Sequence, residues 1–415
     1  MNFKNILNTH SSDVPVHPSA FMTLVIPFGI VGGYVTVTLA FLMTRVGIPL
    51  EKITPLIGMS LLPNVLKFLW APVIDTTLTN KKWYILSNAI TTLGILLIGV
   101  LAMKEESLLL MGMLIFLISF ASTFSVMAAS SLMVYDTPNE LIGRAGGWMN
   151  AGYLGGAAIG GGGGLWLAEK TANPLIVAFI ISIVCMLCSF GLIQLHEPNY
   201  GIRDKRYVKT LGNLTKDIWE VVKSRMGFFA LFLCFLPIGS GAASNLWSAI
   251  STDWGASAKM VALVVGLAGG LLSAIGSLIG GWACDKIDRK KAYIFFGMLQ
   301  ATFAVMMAYA PRTELMFILG TSFYAVSSGL IYAGFSSFTL EAIGKGAVAT
   351  KYNVFASFSY IPIYFMLYVD EWAHKKWGAF GMLNIEAVMG LFGMLLFFTV
   401  INFSLHNSKK TIHYL

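Results

Sequence analysis

The side chains able to do chemistry in this chain of 415 residues are few, and most sit in apolar sequence. Lys67 is the clearest case, the one Lys or Arg well inside an apolar block. In hydrocarbon a lysine costs about 2.5–3.5 kcal/mol on insertion scales unless water, a carboxylate or an anion meets it. It can serve as an anion contact or a charge partner in gating, or it can snorkel to the nearby interface and do no chemistry. Asp370, Glu371 and Glu386 stand near the outer ends of the last two apolar blocks. Burial disfavours a charged carboxylate, so Asp370 and Glu386 are candidates to take up and release protons; at a wetted interface they would have no such role. A third set, Tyr34, Asn64, Ser122, Tyr153, Ser244, Asn245, Tyr332, Tyr360 and Tyr364, falls at the middle depth of apolar blocks. Their hydroxyl and amide groups can hydrogen-bond a polar solute. The alternative is glue between helices, worth about 0.6 kcal/mol each on average.

Other kinds of chemistry are missing from the sequence. There is no Gly-rich Walker loop ending in Lys-Ser or Lys-Thr, no HExxH and no GxSxG, which argues against direct drive by ATP and against an enzyme. Cys185, Cys188, Cys234 and Cys284 all lie in apolar blocks, with no second pair to complete a four-thiolate set. They read as small apolar packers, and neither a metal nor another cofactor is expected. The net charge of +8 is no sign of nucleic acid, because Lys and Arg sit at the ends of apolar blocks rather than in an aromatic-interleaved stripe.

The elements that must position these groups are membrane spans. With 56% hydrophobic and 12% charged residues, the chain has more apolar side chain than one soluble core can hide. The apolar residues come in blocks of roughly 20–25, the length that crosses a ~30 Å hydrocarbon layer at ~1.5 Å per residue. The blocks predict spans at 18–43, 53–74, 83–103, 108–134, 145–167 and 174–195, then at 226–249, 259–283, 292–310, 315–340, 347–369 and 382–405. The stretch before the first block lacks the charged start of a cleaved signal, so that block is expected to remain as a span. A basic polar stretch at 196–225 is expected to link an N-terminal bundle, 1–195, to a C-terminal bundle, 226–415. Alternating the spans from a cytoplasmic N-terminus puts most of the 28 Lys and Arg residues on the cytoplasmic side, which predicts that both termini lie there.

Sliding the chain by 210 residues places Pro27 on Pro237, Gly29 on Gly239, Asp75 on Asp285 and Trp83 on Tyr293. One offset serving three consecutive spans points to duplication of a six-helix unit. The same offset pairs Lys67 with the uncharged Ser277, which favours function over a duplicated structural need. The fifth span is dense in glycine, with a run at 160–164; close packing is the plain reading and bending during gating the sharper one. Pro27, Pro63, Pro237 and Pro362 sit inside spans as kink sites. Trp83, Trp166, Trp254, Trp372 and Trp377 fall where interfacial anchors are expected.

The loop Gly280-Gly281-Trp-Ala-Cys-Asp285-Lys-Ile-Asp288-Arg289-Lys290-Lys291 resembles the signature loop of the major facilitator superfamily. That resemblance implies an all-α membrane protein of about twelve transmembrane helices in two pseudo-symmetric six-helix bundles, with a solute path between them. It implies a cavity lined by spans 1, 2, 4, 5, 7, 8, 10 and 11, and a charge network that latches the halves at the cytoplasmic face. Asp285, Arg289, Lys290 and Lys291 would be gate residues, joined by Asp75, whose own loop is degenerate, and by Arg144. The stretch Leu66-Lys67-Phe68-Leu69-Trp70-Ala71-Pro72-Val73-Ile74-Asp75 is similar to a hallmark of the branch formed by the AmpG-type muropeptide permeases and the acetyl-coenzyme A transporters. Thr137-Pro138-Asn139-Glu140, Arg144-Ala145-Gly146 and Ala349-Thr350-Lys351-Tyr352 add to the likeness. At the end of the fourth span the chain departs from those permeases, with 127–135 in place of an acidic and aromatic motif, so the cargo does not carry over.

The resemblance implies a secondary active transporter, a proton-coupled importer of a bulky polar solute such as a muropeptide, working by alternating access. Siderophores and coenzyme A esters are alternative cargoes, and a receptor or scaffold that moves nothing is the alternative of another class. The expected partners are membrane lipid, a small polar solute and protons, with no nucleic acid, and the expected form is a monomer in a bacterial inner membrane.

Overall fold

The structure, a computed structural model, describes residues 17, 19–101, 103–136, 142–171, 173–195, 216, 219, 223, 225–343 and 348–412. The expected linker at 196–225 lies almost wholly outside the described residues. Among those described there are helices and no strands. In the first half α1 is Ser19–Arg45, α2 Leu50–Thr76, α3 Asn80–Val100, α4 Leu108–Asp136 and α6 Pro174–Gln194. The fifth, α5, is built of Ile142–Ala158, a π-helical turn at Ile159–Gly163 and Gly164–Thr171. In the second half α7 starts as Arg225–Phe235, α8 is Ala258–Cys284, α9 Arg289–Tyr309 and α10 Glu314–Ile343. A final helical run, Val348–Ile412, turns at Gly378 (φ 63°) into α11 (348–377) and α12 (379–412). Nine of the described helical segments are long and apolar enough to cross a membrane, one of them the 47-residue run through Gly378.

Local sequence sets the ends. Thr79 caps α3 by accepting from the Lys82 N–H, and Asn173 caps α6 just ahead of Pro174. Asp288 accepts from the N–H groups of Lys290 and Lys291 at the start of α9, both at 3.1 Å. Apolar side chains such as Leu93, Leu109, Met186 and Leu278 project outward, as a lipid-facing surface requires.

Glycine controls how closely the helices approach. An added Cβ on Gly152, Gly156 or Gly160 of α5 would meet the backbone oxygens of Met22, Ile26 or Ile30 of α1 at 2.2 Å. Gly29 and Gly33 return the contact onto Tyr153 and Ala157. Without a side chain the two backbones touch directly, the packing that membrane helices use in place of a hydrophobic drive. The Thr38 hydroxyl donates to the Gly160 and Gly161 carbonyls at 2.8 Å, pinning a π-helical turn of α1, Tyr34–Leu39, to that of α5. A third π-helical turn, Ala262–Ala268 in α8, faces the same place, and a Cβ on Gly266 would stand 2.3 Å from the Gly162 Cα. Glycine therefore serves close packing and weakened helical order at once.

Two seams join the halves. One is this α5–α8 contact. The other runs down α2 and α11 through the Glu51–Lys375 ion pair (2.5 Å), Gly58 seated on the Tyr368 hydroxyl, and the ring contact of Phe68 with Phe358. At the face opposite the termini the Thr44 hydroxyl of α1 donates across the divide to the Ala249 carbonyl at 3.2 Å. Toward that face one apolar cluster draws on both halves, from Leu39 and Ile48 to Trp247 and Trp254. Toward the terminal face the described residues divide into separate clusters, around Phe338 in the second half and around Tyr84 in the first. The halves are thus closed together at the opposite face.

Three expectations are corrected. The span expected unbroken over 226–249 is interrupted after Phe235, where Gly239 (φ 59°) and Gly241 (φ 67°) take left-handed conformations. The loop expected at 370–381 is helical apart from the turn at Gly378; Asp370 within it and Glu386 inside α12 are buried, at 0% and 6% exposure, the condition that their reading as proton carriers sets. Trp254 is no interfacial anchor: it is 1% exposed, packed on Trp247 and Phe317 with the Arg312 guanidinium 4.4 Å from its ring centre.

Gly266→Val should wedge α5 from α8 at a cost of about 1–3 kcal/mol. Spin labels at Val46 and Lys376 should then move apart, with a lower melting temperature; an unchanged distance would show that this contact does not hold the face closed.

Candidate functional site

Between the halves lies a cavity of about 230 Å³. Its wall takes residues from α1, α2, α4, α5, α8, α10 and α11 and from the interrupted stretch of α7. Helical spacing explains how each wall is made. Ser60 and Asn64 stand one turn apart on α2, as do Ser119 and Ser122 on α4, and Thr321, Tyr324 and Ser328 run along one face of α10. The α7 stretch supplies Ser244, Asn245 and Trp247. Phe28, Tyr153 and Tyr360 add aromatic faces; the Phe28 and Tyr153 rings lie 5.5 Å apart, and Tyr360 faces Tyr153 from the other half. Such a lining of neutral hydroxyls, amides and rings suits a polar solute held by many weak bonds.

Of the residues singled out in the sequence, Asn64, Ser122, Tyr153, Ser244, Asn245 and Tyr360 are brought together on this wall. Lys67 lies one turn beyond Asn64, 8% exposed, with Nζ 5.4 Å from the Tyr360 ring centre and no ion pair to a described residue. Tyr34 is instead buried in the apolar core, Tyr364 packs against that core beside Tyr368, and Tyr332 is about half exposed, away from the cavity. Sequence reasoning missed Thr36, Ser60, Ser119, Thr321, Tyr324, Ser328 and Trp247; for Ser60 and Ser119 the signal lay one turn from Asn64 and Ser122, and for Thr321, Tyr324 and Ser328 in one stripe of α10.

Behind the α10 wall is a second polar centre. Glu386 of α12 accepts from the Tyr324 hydroxyl, from the Ser240 hydroxyl at 3.3 Å and from the Ala243 N–H at 3.2 Å. Asp370 of α11 interacts electrostatically with Glu386, and neither of its oxygens finds a hydrogen-bond partner among the described residues. The Gln300 amide of α9 lies beside Gly239 and Tyr324. Glu371 is apart from this centre, on the side facing Glu51 and Lys375. Among the described residues no cluster of three or more His, Cys, Asp or Glu could hold a metal.

The expected gate at the terminal face is only partly described. The side chains of Asp75, Arg144 and Asp285 lie outside the described residues. Lys290 places its Nζ 5.7 Å from the Phe338 ring centre, and Lys291 is exposed beside half-buried Arg289.

The comparisons with known proteins agree with this geometry. The sequence model of the Major Facilitator Superfamily matches residues 19–365. A protein of Rickettsia conorii named putative transporter AmpG 4 is 24% identical, over 80% of this chain and 84% of its own length. The anhydromuropeptide permease of Escherichia coli K12 is 22% identical, over 78% of this chain and 68% of its own. Among solved structures, the xylose transporter XylE from E. coli superposes with a TM-score of 0.70 at 10% identity, covering 92% of this chain and 97% of that one, which shows the fold. The chain therefore belongs to the Major Facilitator Superfamily: it is a multi-pass membrane transporter of solutes, not an enzyme.

Proposed function

We propose that this chain is a proton-coupled importer of a polar solute, with a muropeptide-like sugar-peptide as first candidate, working by alternating access between two bundles at 1–195 and 226–415. The cavity supports this reading most directly: neutral polar groups from both halves meet around one space, with a buried lysine at its edge and a carboxylate pair behind its wall. The name of the E. coli relative, anhydromuropeptide permease, supports the cargo class. Lys67 receives an anionic group of the solute, a carboxylate being the partner its burial calls for. Asp370 and Glu386 carry the coupling proton. Asp75, Arg144, Asp285 and Arg289, Lys290 and Lys291 form the gate at the terminal face, which is cytoplasmic in an inner membrane, and the protein works as a monomer.

A second reading has its own observation. The cavity of about 230 Å³ lies below the usual range of about 300–1,000 Å³ for ligand pockets. It favours a smaller hydroxylated solute of monosaccharide size, unless the halves part further around a larger one.

Thermal stabilisation by anhydromuropeptides against that by monosaccharides separates these cargoes. In proteoliposomes an inwardly directed proton gradient should accelerate uptake of the stabilising solute; uptake indifferent to the gradient would contradict the coupling. Lys67→Ala should lower uptake of an anionic solute by about tenfold or more, the worth of a charged hydrogen bond, with membrane abundance little changed. Equal loss of abundance and uptake would make Lys67 a folding residue.

A further inference from the structure

Hydrogen-bond donors and acceptors are unevenly shared on the cavity wall. Thr36, Ser60 and Ser122 of the first half donate to the carbonyls of Gly32, Ile57 and Ser119, at 2.8–2.9 Å. Ser244, Ser273 and Ser328 of the second half donate to those of Gly241, Ala325 and Tyr324, at 2.6–2.9 Å. Thr321 does the same toward Phe317, and the Tyr324 hydroxyl donates to Glu386. A hydroxyl has one hydrogen and two lone pairs. Each of these therefore uses its hydrogen within the protein and keeps lone pairs for the cavity.

The two amides are committed in the same way and less reversibly. Asn64 of α2 donates from Nδ2 to the Ser60 carbonyl at 3.5 Å, and its Oδ1 finds no partner among the described residues. Asn245, beyond the break in α7, donates from Nδ2 to the Ala242 carbonyl at 3.2 Å. A hydroxyl can swing its hydrogen toward a solute by giving up one backbone bond. An amide turned over would set its oxygen against the same carbonyl, so its orientation is held. One amide oxygen from each half is thus left to the solute. Donors remain in the second hydrogen of each amide, the Ser119 hydroxyl, the aromatic residues and Lys67 at the edge. Over most of the wall, however, a solute acceptor must draw a hydrogen out of an existing bond, whereas a solute donor displaces nothing.

We propose that the cavity selects its solute by hydrogen-bond donors, with Asn64 and Asn245 as the specificity-determining residues. The class is a solute that turns hydroxyl or amino hydrogens to the wall, a sugar or amino sugar in its simplest form. Ethers, esters and fluorides, which only accept, are rejected. A site built to hydrogen-bond a solute O–H or N–H discriminates strongly against the analogue lacking it, because its own polar groups are then left unpaired. The inference rests on the reading of the cavity as a polar-solute site, and is independent of the coupling ion and of the larger cargo.

The test is thermal stabilisation of the protein in nanodiscs by four sugars that differ at one carbon: glucose, glucosamine, 2-deoxy-2-fluoroglucose and 2-deoxyglucose. At about pH 6, where an amine is protonated, the varied groups in turn donate and accept, only donate, only accept, and do neither. Apparent affinity, read from the concentration dependence of the melting temperature, should be about tenfold higher for glucose and glucosamine than for the other two, the worth of one hydrogen bond to an otherwise unpaired acceptor. The fluoride should gain nothing over the deoxy sugar. At least one of Asn64→Leu and Asn245→Leu should close the gap, and the Asp variant at that position, which keeps an acceptor and loses the amide hydrogens, should retain it. The Asp variants also serve where a leucine variant does not fold, since they should then favour glucosamine over glucose. A fluoride that binds like glucose, four sugars that behave alike, a gap that survives both leucine variants, or one lost in both Asp variants would each overturn donor selection. Stabilisation by anhydromuropeptides with the four sugars alike would sink donor selection and leave the cargo reading; the expected order without such stabilisation would sink that cargo alone.

Discussion

Hydrocarbon offers no hydrogen bonds, and that constraint organises the structure. Where α5, α7 and α8 depart from regular form beside the cavity, another helix supplies a missing partner or closes on the gap. Thr38 answers the π-helical turn of α5, Tyr293 answers the open Ile238 carbonyl, and Glu386 answers the Ala243 N–H. Irregular backbone is kept where it borders the cavity, where it can be useful, and is tied there by side chains from a neighbouring span.

The same solvent explains why glycine decides how the halves meet. Apolar side chains gain little by leaving lipid for one another, so helices hold through close backbone approach and a few polar bonds. The α1–α5 contact in the first half and the Gly162–Gly266 contact between halves are of this kind. Exposed ion pairs such as Glu51–Lys375 contribute little in water, so they tune closure and do not create it. A seam of backbone contacts and weak surface pairs can part without large loss, which is what the proposed alternating access would ask of it.

Much of this was legible in the sequence. The apolar blocks fixed the spans because lipid demands a long uninterrupted run, and the polar residues Asn64, Ser122, Tyr153 and Asn245 were found because depth alone singles them out. Tyr34 and Tyr332 were misplaced because depth does not say which way a side chain points, and Tyr324 was missed because its role comes from Glu386, 62 residues away. The break in α7 was hinted at by Pro237, Gly239 and Gly241, but hydropathy reads that stretch as continuous. The expected span at 347–369 stops just short of Asp370, because hydropathy falls over the Glu, Trp, His and Lys that follow, whereas helix continues through them to Gly378.

The central claim is that one cavity between two bundles is exposed to each side of the membrane in turn. The most direct measurement joins Thr44→Cys to Ala249→Cys by a disulfide, at the point where the halves touch at the face opposite the termini. An impermeant reagent then probes Ser122→Cys from each side of oriented vesicles. With the cross-link formed, the cavity cysteine should react only from the terminal face and uptake should stop; reduction should restore uptake and reaction from both sides. A cysteine that reacts from the opposite face despite the cross-link, or never reacts from there without it, would contradict the account.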